Sequence, residues 1–163
     1  MFEKFTENAN KVLQYASEIA NELSHNYIGT EHLLIGLVKA PGVASKVLAE
    51  NGVEETRLIK LIEEFITPAS TVEVVERENM TPKLKKIIAQ SQKEAVRLKS
   101  NQVGTEHLLL ALLKENECIA VRLLNTLGIK IQKIFVDILT AVGQKTANAK
   151  NEFTSSKGKG KER

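Results

Sequence analysis

The sequence contains no tryptophan, and aromatic residues make up only 4% of it. Sheet cores rely on aromatic and β-branched pairs, whereas the apolar residues here are mainly Leu, Ile, Val and Ala. The single cysteine, Cys118, cannot form a disulfide within the chain, and alone it argues against a structural metal site. These absences favour an all-α protein in a reducing compartment, which we expect to be the cytoplasm.

Long hydrophobic runs are also missing. No stretch approaches the roughly 20 apolar residues that a helix needs to cross a bilayer, and the N-terminus lacks the apolar segment of a secretory signal. We therefore expect neither export nor a membrane partner. Excess positive charge is confined to residues 144–163, which carry six Lys or Arg and two Glu. Without aromatic stacking residues, this basic segment predicts a flexible tail or linker and no specific nucleic-acid site.

Motifs for catalysis are absent as well. No phosphate-binding loop of the G-x-x-x-x-G-K-[ST] type occurs, so we do not expect this chain to hydrolyse a nucleotide. Cys118 follows a charged loop and opens a short predicted helix, where a small apolar side chain packs. No nucleophile is paired with a base in a known motif, so we predict no catalytic residue.

What the sequence does contain is an internal repeat. Shifted by 75 positions, residues 5–39 align with residues 80–114, and 13 of the 35 pairs are identical. They include the run Gly-Thr-Glu-His-Leu-Leu, at 29–34 and again at 104–109. A period this long, present twice, indicates duplication of one unit and not an open array of short repeats. The surface between the copies is then a natural place for a binding site.

Hydrophobic spacing predicts four helices in each copy, and therefore an all-α fold of two pseudo-symmetric four-helix repeats. Thr6 and Thr81 are suited to cap the long first helices, and Pro82 suits a first helical position. The predicted helices lie near 7–23, 31–39, 43–51 and 54–66 in the first copy, and near 82–98, 106–114, 118–126 and 130–141 in the second. The predicted domain spans 1–143, with repeat one at 5–66, a linker at 67–79 and repeat two at 80–141.

The repeated Thr-Glu-His invites a metal-binding or catalytic interpretation. Adjacent side chains point about 100° apart around a helix, however, and two-ligand helical motifs use a spacing of three or four. We therefore predict no metal site. The simpler interpretation is that Thr30 and Thr105 cap the second helices, while His32 and His107 are partly buried packing residues.

Glu31 and Glu106 have two explanations that spacing does not separate. A first-turn carboxylate is favourable at the positive end of a helix, and the same carboxylate can receive a guanidinium.

The starts of the long helices combine capping hydroxyls with cations. Thr6 is close in sequence to Lys4 and Lys11, and Thr81 is close to Lys83, Lys85 and Lys86. Such a helix start can bind phosphate. An ordinary solvated face accounts for each lysine taken singly.

These segments resemble the double Clp repeat domain, on the strength of Phe5-Thr6-Glu7, the stretch 26–34, Met80-Thr81-Pro82-Lys83 and the stretch 103–109. The resemblance covers roughly residues 2–143 and is greatest to the N-terminal domains of ClpC-type ATPases. It implies a noncatalytic domain that docks adaptors such as MecA, and substrates that are unfolded or phosphorylated on arginine. ClpP would be reached only through the full-length ATPase, and ATP and Mg²⁺ would bind only in ATPase modules, which this sequence does not contain. The alternative is a freestanding Clp-repeat protein that docks on a Clp ATPase or protease.

The resemblance also implies two equivalent phosphoarginine pockets. In that family the carboxylate after Gly-Thr holds the guanidinium and the start of a long helix holds the phosphate. The residues that match are Glu31, Glu106, Thr6, Thr81, Lys4, Lys83 and Lys85. Lys4 and Lys83 stand where arginines are common in the family, and Asn8 stands in place of a cation. Lysine offers a point charge and not a planar fork, so we expect weaker phosphate binding, especially at the first pocket.

Overall fold

The computed structural model describes residues 4–65, 79–115 and 117–143. Within these ranges the chain forms eight α-helices and no strand, so the predicted all-α class is confirmed. Repeat one contains α1 (Glu7–Glu22), α2 (Thr30–Lys39), α3 (Val43–Glu50) and α4 (Glu55–Phe65); repeat two contains α5 (Pro82–Arg97), α6 (Thr105–Lys114), α7 (Ile119–Thr126) and α8 (Ile131–Ala141). The predicted linker up to residue 78 and the predicted basic tail at 144–163 lie outside the described residues.

Both long helices begin as the sequence predicted. The hydroxyl of Thr6 accepts a hydrogen bond from the Ala9 amide at 3.0 Å, and that of Thr81 accepts one from the Leu84 amide at 3.1 Å. Pro82 follows in the first turn of α5, where its missing N–H costs nothing.

The second helices are capped differently from the prediction. Their N-caps are glycines, and a histidine ring three residues later accepts from the glycine amide: His32 Nδ1 from Gly29 at 2.9 Å and His107 Nδ1 from Gly104 at 2.8 Å. The histidines are fully buried, not partly so as predicted. Each histidine ring thus provides the hydrogen-bond acceptor for a glycine amide that would otherwise be buried without a partner.

Thr30 and Thr105 are already helical, so the prediction that they cap their own helices was wrong. Each instead caps a helix of the other repeat. The Thr30 hydroxyl accepts from the Ala120 amide in α7 at 3.1 Å, and the Thr105 hydroxyl accepts from the Ala44 amide in α3 at 3.3 Å. Each copy therefore supplies a buried hydrogen-bond acceptor that the other copy needs.

Two short parallel bridges fix the copies in register. The Thr6 amide donates to the Val103 carbonyl at 2.9 Å, and the Thr81 amide donates to the Ile28 carbonyl at the same distance. Leucines of α2 and α6 lie in one continuous core that both copies share. The start of each long helix is thereby held beside the Gly-Thr-Glu-His segment of the opposite copy.

A membrane-spanning helix is not found in the part of the chain that the structure describes. Only α2 and α3 taken together are long and apolar enough, and they are bent by 94° at the break between them.

Candidate functional site

Two clefts lie where the start of a long helix meets the opposite Gly-Thr-Glu segment. The Glu31 cleft, about 280 Å³, combines Glu31 of repeat one with Thr81 and Lys83 of repeat two. The rest of its lining is Tyr27, Gly29, Thr30, Pro82, Glu117, Cys118 and Ile119. A carboxylate from one copy and a capped helix start from the other thus face the same space.

The Glu106 cleft, about 460 Å³, is the pseudo-symmetric counterpart. It combines Glu106 of repeat two with Thr6 and Asn8 of repeat one. The rest of its lining is Gly42, Val43, Ser100, Asn101, Gln102, Gly104 and Thr105. Five of the predicted site residues therefore lie in the two clefts. Lys4 and Lys85 are exposed and belong to neither lining.

The cation expected beside Thr81 is already engaged. Lys83 Nζ lies 3.2 Å from Glu115, and Lys86 Nζ lies 3.6 Å from the same carboxylate. Both lysine side chains are substantially exposed, so water screens these pairs and their strength is small. An incoming phosphate would compete with Glu115 for Lys83.

The carboxylate of Glu31 is fully buried. Its Oε2 accepts a hydrogen bond of 2.6 Å from the Tyr27 hydroxyl, while its Oε1 is buried without a hydrogen-bond partner. Burial raises the pKa of Glu31, although the bond from Tyr27 acts in the opposite direction. Burial and the adjacent carboxylate together raise the pKa of Tyr27. A buried acceptor without a donor is costly, so an N–H group of a ligand that reached this oxygen would stabilise it.

Glycine at position 29 is what admits this carboxylate. A Cβ placed there would lie 2.6 Å from Glu31 Oε1 and 3.0 Å from the Tyr27 ring. The glycine is therefore part of the cleft as well as the helix N-cap.

The carboxylate of Glu106 is in a different environment. Its side chain is 24% exposed, and its Oε2 lies 4.0 Å from His107 Nε2. Gln102 occupies the position equivalent to Tyr27. The expectation of two equivalent pockets is therefore not met in the side chains around the carboxylates.

A buried cluster adjoins the Glu31 cleft, formed by His25, Tyr27, Glu31 and His32. One ligand atom each from His25, Glu31 and His32 lie within 4.8 Å of one another, which brings together side chains that the spacing argument had separated. The three donors resemble a zinc ligand set.

Proton positions favour a hydrogen-bonded pair over a metal at this cluster. Because the Gly29 amide donates to His32 Nδ1, the proton of the neutral ring is on Nε2, which lies 2.8 Å from His25 Nδ1 and donates to it. A metal on His32 Nε2 would move that proton to Nδ1, against the Gly29 N–H. Burial and the neighbouring His25 lower the pKa of His32 to about 3, consistent with a neutral ring.

Sequence reasoning missed Tyr27 and His25. The signal was present in the repeat, because the equivalent positions are Gln102 and Ser100 and the two copies differ there within an otherwise matching motif.

Comparisons with known proteins find similarity over most of the chain. The family model of the Clp repeat (R) N-terminal domain matches residues 4–79 and again 79–158. The chain is 40% identical over 157 residues to the negative regulator of genetic competence ClpC/MecB of Bacillus subtilis. It is 41% identical over 156 residues to the Clp protease ATP-binding subunit ClpC of Staphylococcus aureus. These alignments cover 96% and 95% of this chain but 19% of each relative, so the chain spans about a fifth of their length.

Solved structures with the same fold include two N-terminal domains. That of ClpD from Arabidopsis thaliana has a TM-score of 0.70 and 18% identity, covering 87% of this chain and 96% of that one. That of Hsp104 from Candida albicans has a TM-score of 0.67 and 18% identity, covering 88% and 94%.

Proposed function

The chain belongs to the Clp repeat N-terminal domain family, and from that premise we propose that it is a noncatalytic docking domain of a ClpC-type ATPase. Its ligands are adaptor proteins, of which MecA is an example, and substrates marked by phosphoarginine. ClpP is reached through ATPase modules, and the setting is the cytoplasm.

The observation that carries this proposal is the composition of the clefts. Each unites a carboxylate of one copy with the capped N-terminus of a 16-residue helix of the other. Phosphoarginine carries a guanidinium group joined directly to a phosphate, so a carboxylate and a positive helix end match its two parts. Neither feature alone would indicate that ligand.

The clefts are not expected to bind with equal strength. The Glu106 cleft has Asn8 in its lining, and Glu7 lies in the first turn of α1, where a negative charge opposes a phosphate. The Glu31 cleft has a cation, Lys83, as well as Glu117 in its lining, and the first turn of α5 beside it contains Pro82 and no acidic residue. We therefore expect tighter phosphate binding at the Glu31 cleft, in line with the expected weakness at the pocket beside Thr6.

A fold neighbour supports the docking of peptides in this family. The ClpV N-domain, with a TM-score of 0.62 and 19% identity, has been solved in complex with a VipB peptide. That likeness supports a peptide-binding role for the fold, and the side chains of the two clefts determine which peptide binds.

The test is calorimetric titration of a phosphoarginine peptide into the wild type, Glu31→Ala, Glu106→Ala and the double variant. Removing a charge-assisted contact costs about 1.5–3 kcal/mol, so each single variant should lose roughly 10- to 100-fold in affinity at its own cleft. Glu63→Ala, at an exposed position in α4, is the matched control and should bind like wild type. Undiminished binding by the double variant would contradict the proposal.

A further inference from the structure

The walls of the two clefts differ more than their carboxylates do. The Glu31 cleft presents Tyr27, Cys118 and Ile119 where the Glu106 cleft presents Gln102, Gly42 and Val43. The remaining lining of the Glu106 cleft is rich in amides and hydroxyls, from Asn8, Ser100 and Asn101. Besides Glu31, Glu117, Lys83 and two threonines, the wall of the Glu31 cleft is therefore formed by apolar and ring atoms, whereas that of the Glu106 cleft is mainly polar.

Ile119 is the clearest sign that the apolar wall is unfilled. It is 39% exposed and is one of three large hydrophobic side chains exposed among the described residues. The other two, Phe65 and Val96, line neither cleft. Ile119 is the first residue of α7, the helix whose Ala120 amide donates to the Thr30 hydroxyl, so its position is fixed by the contact between repeats.

A ligand that fills the Glu31 cleft must satisfy two demands. Glu31 Oε1, buried and without a partner, calls for an N–H donor, and the start of α5 beside Lys83 calls for an anion. The apolar surface of Tyr27, Pro82 and Ile119 binds neither the N–H donor nor the anion, and it is stabilised by contact with hydrocarbon. A phosphoarginine meets both demands, with its guanidinium and its phosphate, and an apolar side chain next to it in the peptide covers the wall.

We infer that the Glu31 cleft selects a phosphoarginine that is flanked by an apolar residue, whereas the Glu106 cleft does not discriminate between apolar and polar neighbours. This inference rests on the proposed function. Binding at one of the two clefts then depends on the sequence around the phosphoarginine, and binding at the other does not. Burial of about half of a leucine side chain corresponds to roughly a tenfold gain in affinity.

The experiment uses two phosphoarginine peptides that differ only in the flanking residues, leucine in one and serine in the other. Glu106→Ala leaves the Glu31 cleft as the intact one, and Glu31→Ala leaves the Glu106 cleft. Ile119→Ser, combined with Glu106→Ala, removes the apolar wall. Val96→Ser in the same background is the matched control, because Val96 is 75% exposed and outside both clefts. Thermal unfolding confirms that every variant is folded.

We expect Glu106→Ala to bind the leucine peptide about tenfold more tightly than the serine peptide. The ratio should fall to about one with Ile119→Ser, persist with Val96→Ser, and be about one in Glu31→Ala. Tight binding of both peptides with equal affinity in Glu106→Ala would overturn this inference and leave the proposed function intact. Failure of wild type to bind either peptide would overturn both.

Discussion

Replacing Glu94 by isoleucine is expected to destabilise the protein strongly, although repeat one has an isoleucine, Ile19, at the equivalent position. The Glu94 carboxylate is fully buried, and its Oε2 lies 2.9 Å from Lys114 Nζ. The Lys114 side chain is itself only 6% exposed, and its ammonium lies 5.6 Å from the centre of the Phe135 ring. The Glu94→Ile variant therefore leaves an ammonium group buried without its counter-ion.

The magnitude follows from the burial of both partners. Glutamate and isoleucine have similar volumes, so the cavity contribution is small and the loss of the counter-ion dominates. Removal of one partner of a buried ion pair costs about 3–5 kcal/mol, whereas replacing both partners by apolar residues is often neutral or stabilising. We expect Glu94→Ile to cost about 3–5 kcal/mol and Glu94→Ile with Lys114→Met to cost far less. For a chain of this size, the single change corresponds to a fall in Tm of roughly 6–20 °C.

The assay is urea unfolding of the wild type, Glu94→Ile, Lys114→Met and the double variant. Loss of helix is followed by far-ultraviolet circular dichroism. Lys39→Met is the matched control: Lys39 is the equivalent lysine of repeat one, its side chain is 34% exposed, and its pair with Glu55 is 3.5 Å long. That control should change stability by less than about 1 kcal/mol. A cost below about 1 kcal/mol for Glu94→Ile would refute the reasoning, because it would mean that Lys114 reaches water when its partner is removed.

Three further predictions concern packing, capping and pH. Gly36→Ala should cost about 1–3 kcal/mol in urea unfolding, because the added Cβ would lie 2.4 Å from the Val12 carbonyl oxygen in α1; a neutral result would show that α1 and α2 can separate freely. Thr105→Val should cost about 1 kcal/mol by loss of the cap on α3, whereas Thr140→Val, at an exposed position, should be near neutral; equal effects would contradict the cap across repeats. Burial lowers the pKa of His32 from 6.5 to about 3, so below pH 6.5 the unfolded chain binds a proton that the folded chain does not. The contribution of His32 to stability should therefore be constant above pH 6.5 and fall below it, by at most about 1.4 kcal/mol per pH unit. A flat profile between pH 7 and pH 5 would argue against a buried neutral histidine.

Much of the fold could be predicted from local signals. Thr6 and Thr81 identified the starts of the long helices, since a capping hydroxyl acts on amides three residues away. The same local argument failed at Thr30 and Thr105. A threonine before a helical run reads as a cap in the sequence, and only the packing of the copies shows that its partner amide lies 61 or 90 residues away.

In the candidate site, too, the local sequence predicts some features and only the packing of the two copies decides others. Glu31 and Glu106 stand in identical six-residue runs, so nothing within the motif distinguishes them. In the folded chain the Glu31 carboxylate is fully buried and accepts a hydrogen bond from the Tyr27 hydroxyl, while the Glu106 carboxylate is partly exposed. Burial depends on neighbours from distant parts of the chain, and the pKa of a carboxyl follows burial.

By itself the sequence determined the helical class, the duplication and the helix boundaries to within a residue or two, because these depend on periodicity and on groups close together along the chain. Only the tertiary structure decided that each cleft is built from both copies, that Thr30 and Thr105 serve the opposite repeat, and that the two carboxylates differ. The physical reason is that burial, cavity shape and unsatisfied hydrogen-bond acceptors arise from contacts between segments far apart in sequence, which the spacing of residues does not encode.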